Sequence, residues 1–402
     1  MVDDDDNRDG SGEEDLISGL PDELLHGILV VLRCARATAR TSVLSCRWRR
    51  VWAHLPELHL DEPAVSSPDT VDGALADYLA PSLDRLAISL PYHDRALAGR
   101  AAPWLRFTAE RVAGELRLHV PGPRFRFLEA VIPFGEAAEL ELPACGRAQR
   151  LTLFLVVEWH LRLRPGGMFS ALTALMIRGA SVEGGELSNL VSTQCPCLSY
   201  LDLFATLVSP SNVTIRSDSL HWLQLFDVHT EARARRAKTG KDDWYQRFLD
   251  ATKRLPKCKT LSISLSWNDH GLAPVVLHIL RSCNGTRKLR LNYYNDSLRT
   301  CPPSCPCRSD ESHKIDDINL NSLNKIEIDS YEDFHDGLEF VELKFRCNAK
   351  VQKLVINYKV SSTPGTKVCE KVRNMCWPKV KVKFYVFPDG PNGRRPRRVG
   401  FE

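Results

Sequence analysis

Residues 198–203 read LSYLDL and residues 220–225 read LHWLQL, two copies of one pattern. In each copy an apolar residue is followed by two variable residues, a leucine, one variable residue and another leucine. Alternate side chains of a β-strand share a face, so the last two leucines of a copy are expected on the same, inward face. The pattern therefore predicts a short strand in each copy and a return segment between the two.

The same unit recurs along most of the chain. Strong copies lie at Leu83/Leu86/Ile88, Leu172/Leu175/Ile177, Leu198/Leu201/Leu203, Leu220/Leu223/Leu225, Leu323/Ile326/Ile328 and Val351/Leu354/Ile356, and weaker ones at Leu116/Leu118, Leu140/Leu142, Leu151/Leu153, Leu261/Ile263 and Leu289/Leu291. Most are about 22 to 30 residues apart, a period typical of a leucine-rich-repeat solenoid. Gaps near 38 and one gap of 11 after Leu140 indicate a degenerate array. An α/β domain with scattered strands is the alternative.

A helical pattern precedes the repeats. Pro21 suits the start of a helix, and Asp22 and Glu23 are favoured in its first turn by the helix dipole. The helical spacing places five residues on one broad apolar face: Leu24, Leu25, Ile28, Leu29 and Leu32. A second helical stretch spans about residues 35–54. Such a small module has little core of its own and is expected to need a neighbour or partner.

The stretch RWRRVW, Arg47 to Trp52, has two interpretations. Arginines and aromatics on one surface would favour nucleic-acid binding. At helical spacing, however, Trp48 and Trp52 fall with the leucines, whereas Arg49 and Arg50 point elsewhere and Arg47 borders the apolar arc. The geometry favours an apolar helix face with a solvated basic back.

Composition limits the class of protein. The 402 residues are 43% apolar and 26% charged, as in a folded protein, and the net charge of +4 gives no general reason to expect a polyanion partner. No apolar run approaches the ~18 residues of a membrane span, and the N-terminus is acidic rather than signal-like. We therefore expect a cytoplasmic or nuclear protein whose cysteines are mostly reduced.

The chain has no sequence motif of a common catalytic class. GxxxxGK[ST], GxGxxG, HExxH and GxSxG are all missing from the sequence. Cys301, Cys305 and Cys307, with His313, offer ligands for zinc, but the second ligand pair of a structural site is missing. We predict no catalytic residue, no metal and no cofactor, and keep a zinc-dependent enzyme as a remaining alternative.

With these motifs placed, the chain resembles plant F-box proteins that carry leucine-rich repeats and a C-terminal FBD-type module. DLISGLPDELLHGIL and RTSVLSCRWRRVW resemble the F-box, QCPCLSYLDL the repeats, and residues 322–356 with CWPKVKVKFYVF the FBD pattern. The predicted division is an acidic tail (1–14), the F-box (15–60), the solenoid (61–300), a Cys/Pro loop (301–313), an FBD-like α/β cap (314–387) and a basic tail (388–402).

The resemblance implies an adaptor. Its F-box would dock on the Skp-type adaptor of a cullin ubiquitin ligase through Leu20, Pro21, Leu24, Ile28, Leu29, Val43, Leu44, Arg47 and Trp48. The repeats would hold a protein target, for which we predict contacts on the concave face from Tyr200, Asp202, His221, Trp222 and Gln224. The alternative is a non-catalytic scaffold or a nucleic-acid-binding repeat protein without degradation activity.

Overall fold

The computed structural model gives the fold of the chain in a set of defined segments. It describes residues 19–32, 46–61, 67–90, 97–120, 138–155, 159–164, 166–208, 215–226, 258–266, 277–278, 280–281, 285–294, 321–330, 351–359, 366–376, 380–387 and 397–398. Helices within these segments are Asp22–Leu32 (α1), Cys46–Trp52 (α2), Pro68–Ala76 (α3), Leu97–Arg111 (α4), Gly184–Asn189 (α5) and Thr366–Cys376 (α6). A π-helical turn, Leu190–Gln194, follows α5.

Fifteen strands of the described segments form one sheet. They are Glu57–Leu60 (β1), Leu83–Ser89 (β2), Val112–His119 (β3), Ala138–Glu141 (β4), Arg150–Phe154 (β5), Trp159–Arg162 (β6), Ala174–Glu183 (β7), Tyr200–Val208 (β8), Trp222–Phe226 (β9), Thr260–Ser266 (β10), Lys288–Tyr294 (β11), Lys325–Ser330 (β12), Lys353–Lys359 (β13), Lys381–Phe387 (β14) and Arg397–Arg398 (β15). The main path follows chain order from β1 to β15 without β4 and β6. Every pairing is parallel except that of β14 with β15, which confirms the predicted solenoid of parallel strands.

The repeat pattern produces two continuous columns of stacked apolar side chains. Registered pairing aligns the first column from Leu58 through Leu86, Leu116, Leu151, Leu175, Leu201, Leu223, Leu261, Leu289, Ile326 and Leu354 to Val382. The second column lies two residues further along each strand and runs from Leu60 to Phe384. Residues from Leu25 to Phe384 belong to one buried apolar cluster, so α1 and α2 share the core of the repeats.

One weak repeat copy lies outside the columns. Leu140 is in β4, which pairs with β6 and not with the main path. This explains the short spacing of 11 residues after Leu140, because Leu151 continues the column from Leu116. The branch leaves the sheet at β7, whose first half pairs with β5 and whose second half pairs with β6.

A local bulge in β7 makes this branch possible. Gly179 has a φ of +75° and Ala180 a φ of +51°, and the register of β7 with β8 shifts there. A Cβ atom on Gly179 would lie 1.8 Å from the carbonyl oxygen of Leu155. Only glycine fits this position, because both the backbone conformation and the space exclude a side chain.

The two ends of the array differ from the sequence expectations in detail. β1 lies inside the segment assigned to the F-box, and β12 to β14 continue the same parallel sheet through the segment assigned to the cap. The closing strand predicted around residues 380–386 is confirmed as β14. Within the predicted basic tail, β15 pairs with Tyr385 and Val386 of β14. The segments 231–243 and 301–313 lie outside the described residues.

Candidate functional site

The start of α1 is fixed by an arginine from α2. The Arg47 guanidinium donates from Nε to Oδ1 of Asp22 at 3.0 Å and from Nη2 to the same oxygen at 2.6 Å. Nη2 also donates to the carbonyl oxygen of Leu20. The carbonyl oxygen of Pro21 accepts the first helical hydrogen bonds, from Leu24 N and Leu25 N at 3.1 Å each. Arg47 therefore joins α2 to the turn from which α1 begins.

Helix α1 carries apolar side chains on two faces. Leu25 and Leu29 are 0% and 2% exposed and pack into the core, and Nε2 of His26 lies 3.0 Å from the carbonyl oxygen of Val51 in α2. The other face presents what we call the α1 stripe, three aliphatic residues at helical spacing: Leu24, Ile28 and Val31, which are 55%, 45% and 79% exposed. An exposed aliphatic row of this kind is typical of a surface that a partner covers.

The predicted docking residues are distributed between this surface and the core. Leu24 and Ile28 are exposed, Pro21 is exposed, and Leu20 and Arg47 are half-buried. Leu29 and Trp48 are buried at 2% and 5% exposure, so they support the stripe from below. Val43 and Leu44 lie outside the described residues.

Val31 was missed by the sequence analysis, which placed Leu32 on the helix face instead. The signal was available, since Val31 lies seven residues after Leu24 and three after Ile28.

The predicted target-binding residues lie on or beside β8 and β9. The Tyr200 and Trp222 rings stack with centroids 5.8 Å apart and planes inclined by 24°. Both rings are half-buried, as is Gln224, and His221 is exposed just before β9. The Nζ of Lys288 lies 5.7 Å from the centre of the Trp222 ring, within cation–π range. Tyr200, Trp222 and Gln224 thus lie on the face opposite the apolar columns, which we call the open face, and His221 is accessible beside it.

Asp202 differs from the other four residues because it is fully buried. Its Oδ2 accepts a hydrogen bond from Nη2 of Arg178 at 2.8 Å, while Oδ1 has no partner. Burial raises the pKa of Asp202 above its usual value, although the hydrogen bond and charge of Arg178 oppose the shift. Direct target contact by Asp202 stays a prediction, and it requires this carboxylate to become accessible first.

The described residues offer little for covalent or metal chemistry. They contain no group of three or more His, Cys, Asp or Glu side chains placed to hold a metal ion. Burial raises the pKa of the Cys145 and Cys195 thiols to about 12 and that of Cys258 to about 11, which keeps these thiols protonated and poorly nucleophilic. Cys301, Cys305, Cys307 and His313 lie outside the described residues. In the described part of the chain, no helix is both long and apolar enough to cross a membrane.

Comparison with known proteins gives relatives that are named for an F-box, alone or together with leucine-rich repeats. F-box/LRR-repeat protein 25 of Arabidopsis thaliana is 29% identical over 199 residues, which are 48% of this chain and 73% of that protein. An F-box/FBD/LRR-repeat protein of the same plant is 28% identical over 223 residues, 54% of this chain and 46% of the relative. These likenesses, at 25–42% identity to several plant proteins named F-box/LRR or F-box/FBD/LRR-repeat, support the plant F-box/LRR/FBD family. An F-box protein of A. thaliana is 37% identical over 208 residues, 49% of this chain and 62% of its own length.

The comparisons also define how far the likeness extends. No family model matches the chain. The chain spans 73% of the first of these F-box/LRR relatives but less than two thirds of the other two. The names of the relatives point to an adaptor rather than to a catalytic protein.

Proposed function

We propose that the chain is the substrate-recognition subunit of a Skp–cullin–F-box ubiquitin ligase in the cytoplasm or the nucleus. The observation that carries this proposal is the α1 stripe: Leu24, Ile28 and Val31 are exposed on a helix whose other apolar face is already buried in the shared apolar cluster. The stripe would dock on a Skp-type adaptor, which in turn binds a cullin. The open face of the sheet would hold the protein target.

The energetics of the stripe support docking. Burying an exposed aliphatic side chain of this size contributes about 1.5–3 kcal/mol. Within the described residues the inward face of the helix is already occupied by Leu25 and Leu29, so the stripe stays exposed. Arg47 acts as a positioning residue, since it holds Asp22 and the Leu20 carbonyl and so fixes the direction in which the stripe points.

Such a subunit contributes proximity rather than chemistry. Holding two reactants together replaces a bimolecular encounter by an effectively unimolecular one, which is worth several orders of magnitude in rate. The catalytic groups then belong to the recruited ubiquitin-conjugating enzyme. The described residues need only present two surfaces in a constant relation.

The α1 stripe is tested by charge substitution. We expect Leu24→Glu with Ile28→Glu to abolish co-purification of the full chain with a Skp-type adaptor, because two carboxylates would be buried in an apolar interface. The double variant Leu20→Ala with Pro21→Ala is expected to have the same effect through the start of α1. Pull-down with quantitative immunoblotting measures both variants.

Met168→Glu provides the matched control. Met168 is 53% exposed and lies before β7, away from α1. It should leave adaptor binding unchanged. Undiminished binding by the Leu24/Ile28 variant, with an unchanged circular dichroism spectrum, would refute the docking assignment.

A further inference from the structure

One column of the open face has an unusual charge pattern. The residues that immediately precede the first apolar column are aligned across the strands, and in β11 to β14 they are Lys288, Lys325, Lys353 and Lys381. We call these four residues the lysine column. Adjacent strands are about 4.8 Å apart, so the four residues follow one another over about 14 Å.

This arrangement is unfavourable in the isolated chain. Like charges directly opposite each other on neighbouring strands destabilise a sheet. Glu327 offsets the first two lysines, with its Oε2 2.8 Å from Lys288 Nζ and its Oε1 2.5 Å from Lys325 Nζ. Burial raises the pKa of Glu327, but these hydrogen bonds outweigh it and hold the pKa below its usual value. One carboxylate thus serves two of the four lysines.

The far end of the column has no counter-charge from the part of the chain that the structure describes. Among the described residues, no hydrogen bond or ion pair joins Lys353, Lys381 or the neighbouring Lys383 to another group. The nearby Asp329 is already bonded to Arg290, with 2.7 Å between its Oδ2 and Arg290 Nη2, and accepts a hydrogen bond from Asn357. Positive charge therefore accumulates where nothing in the described chain neutralises it.

On the strands that precede β11, the residues in line with the lysine column include an aromatic pair. Trp222 of β9, Thr260 of β10 and Lys288 of β11 follow one another in register, and Tyr200 of β8 stacks on Trp222. The indole Nε1 of Trp222 is buried without a hydrogen-bond partner. The column thus passes from an aromatic pair to a row of cations along one line across the sheet.

We propose that the lysine column binds an acidic segment of the protein target, laid across strands β11 to β14. This inference rests on the proposed function and names the chemistry of the target. About 14 Å of cations corresponds to four or five residues of an extended peptide. Glutamate and aspartate side chains would supply the counter-charge missing at Lys353 and Lys381, and an apolar side chain of the same segment would reach the Tyr200–Trp222 pair.

The pattern favours a peptide over a nucleic acid. A single-stranded nucleic acid needs aromatic rings interleaved with cations so that bases stack beside neutralised phosphates. Here the two rings stack on each other at one end, and the cations follow as a separate row. Arginine, which binds phosphate with two parallel hydrogen bonds, does not occur in the column.

Binding of a defined acidic peptide to the purified full chain tests the proposal. The probe is a fluorescein-labelled decamer of glutamate, measured by fluorescence anisotropy at low and at physiological salt. We expect Lys353→Glu with Lys381→Glu to weaken its affinity at least tenfold, and binding by the unaltered chain to weaken as salt screens the charges. A glutamine decamer should not bind.

A matched variant separates the column from net charge. Lys259→Glu with Arg287→Glu makes the same change in net charge at two exposed residues just before β10 and β11, outside the column. This variant should bind the glutamate probe within about twofold of the unaltered chain. An equal loss in both variants, or no binding by the unaltered chain, would overturn the proposal.

Two further outcomes would give the lysine column a different ligand and would also contradict the proposal. Tighter binding of a thymidine decamer, lost in the Lys353/Lys381 variant, would make the column a nucleic-acid surface. A large gain in peptide affinity after deletion of residues 1–14 would assign the column to the chain's own acidic tail.

Failure here is distinguishable from failure of the proposed function. The Lys353/Lys381 variant should still co-purify with the Skp-type adaptor, whereas the Leu24/Ile28 variant should lose the adaptor and keep the peptide.

Discussion

The same outer column of the sheet carries two opposite charge patterns. In β1, β2, β3 and β5 it reads Glu57, Arg85, Glu115 and Arg150, which we call the alternating column, and in β11 to β14 it is the lysine column. Arg85 Nη1 lies 3.3 Å from Glu57 Oε2, and Arg85 Nε lies 3.2 Å from Glu115 Oε2. The fold is identical in both regions, so the difference lies in what the surface does. The first region pairs its charges in alternation, whereas in the second Glu327 is bound to only two of the four lysines.

The core does not take part in this difference, and the largest expected effect makes that clear. Leu86→Ala in β2 and Leu289→Ala in β11 each remove a fully buried side chain of the first apolar column. We expect both to lower the free energy of unfolding by about 2–5 kcal/mol, because each leaves a cavity in a packed interior. Urea unfolding followed by circular dichroism measures the two. Losses of unfolding free energy that differ severalfold between the two variants would show that the two regions also differ in packing.

Breaking the alternation should have an intermediate effect. Glu115 is 8% exposed and binds Arg85 and Arg117, with 2.7 Å between its Oε1 and Arg117 Nε. Glu115→Gln keeps the shape and removes the charge, and we expect it to lower the free energy of unfolding by about 1–3 kcal/mol at pH 7. Glu110→Gln, at an exposed residue of α4, is the control and should change stability by less than about 0.5 kcal/mol.

The effect of Glu115→Gln should also depend on pH. Burial raises the pKa of Glu115, but the hydrogen bond from Arg117 and the charges of Arg117, Arg85 and Arg150 outweigh it, so the pKa lies below its usual value. Its contribution is therefore present above the unfolded-state pKa of about 4.3 and is lost as the pH falls through the folded-state pKa. The difference in free energy of unfolding between the unaltered chain and Glu115→Gln should therefore disappear in acid. A gap that widens in acid would contradict this assignment.

The smallest expected effect on stability is a gain rather than a loss. Lys353→Glu places a carboxylate between Lys325 and Lys381 and restores alternation in the lysine column. We expect a gain of about 0.2–1 kcal/mol in the free energy of unfolding. Lys353→Gln, which only removes the repulsion, should give part of that gain. A loss of stability in both variants would mean that the four lysines are not in conflict, and the contrast between the two columns would disappear.

The sequence predicted the repeats because their geometry is local. The alternation of LxL decides which residues point inward, and stacking of successive units then aligns Leu201 with Leu223 whatever the return segments do. The same reasoning predicted the closing strand near Val382. It also predicted the strand at Leu140 but not its position off the main path, because that position depends on which strand is the neighbour, and β4 pairs with β6.

The surfaces were less predictable, because they depend on contacts between distant residues. The accessibility of Tyr200 and Trp222 followed from alternation, but the burial of Asp202 depends on Arg178, which lies on the preceding strand of the main path. Helical spacing places Arg47 at the border of the apolar arc, and only the structure shows its contact with Asp22. The lysine column escaped notice because its members are 28 or 37 residues apart, although aligning the units would have placed a lysine before four successive copies.

The shared core of α1, α2 and the sheet gives the molecule a fixed reach. Leu25 of α1 and Phe384 of β14 belong to one packed cluster. At about 4.8 Å per strand, the lysine column begins about 38 Å and ends about 53 Å from β1 along the sheet. The number of repeats therefore sets the distance between the helices and a ligand bound on the open face. Removing one unit would shorten that distance by about 5 Å without altering either surface.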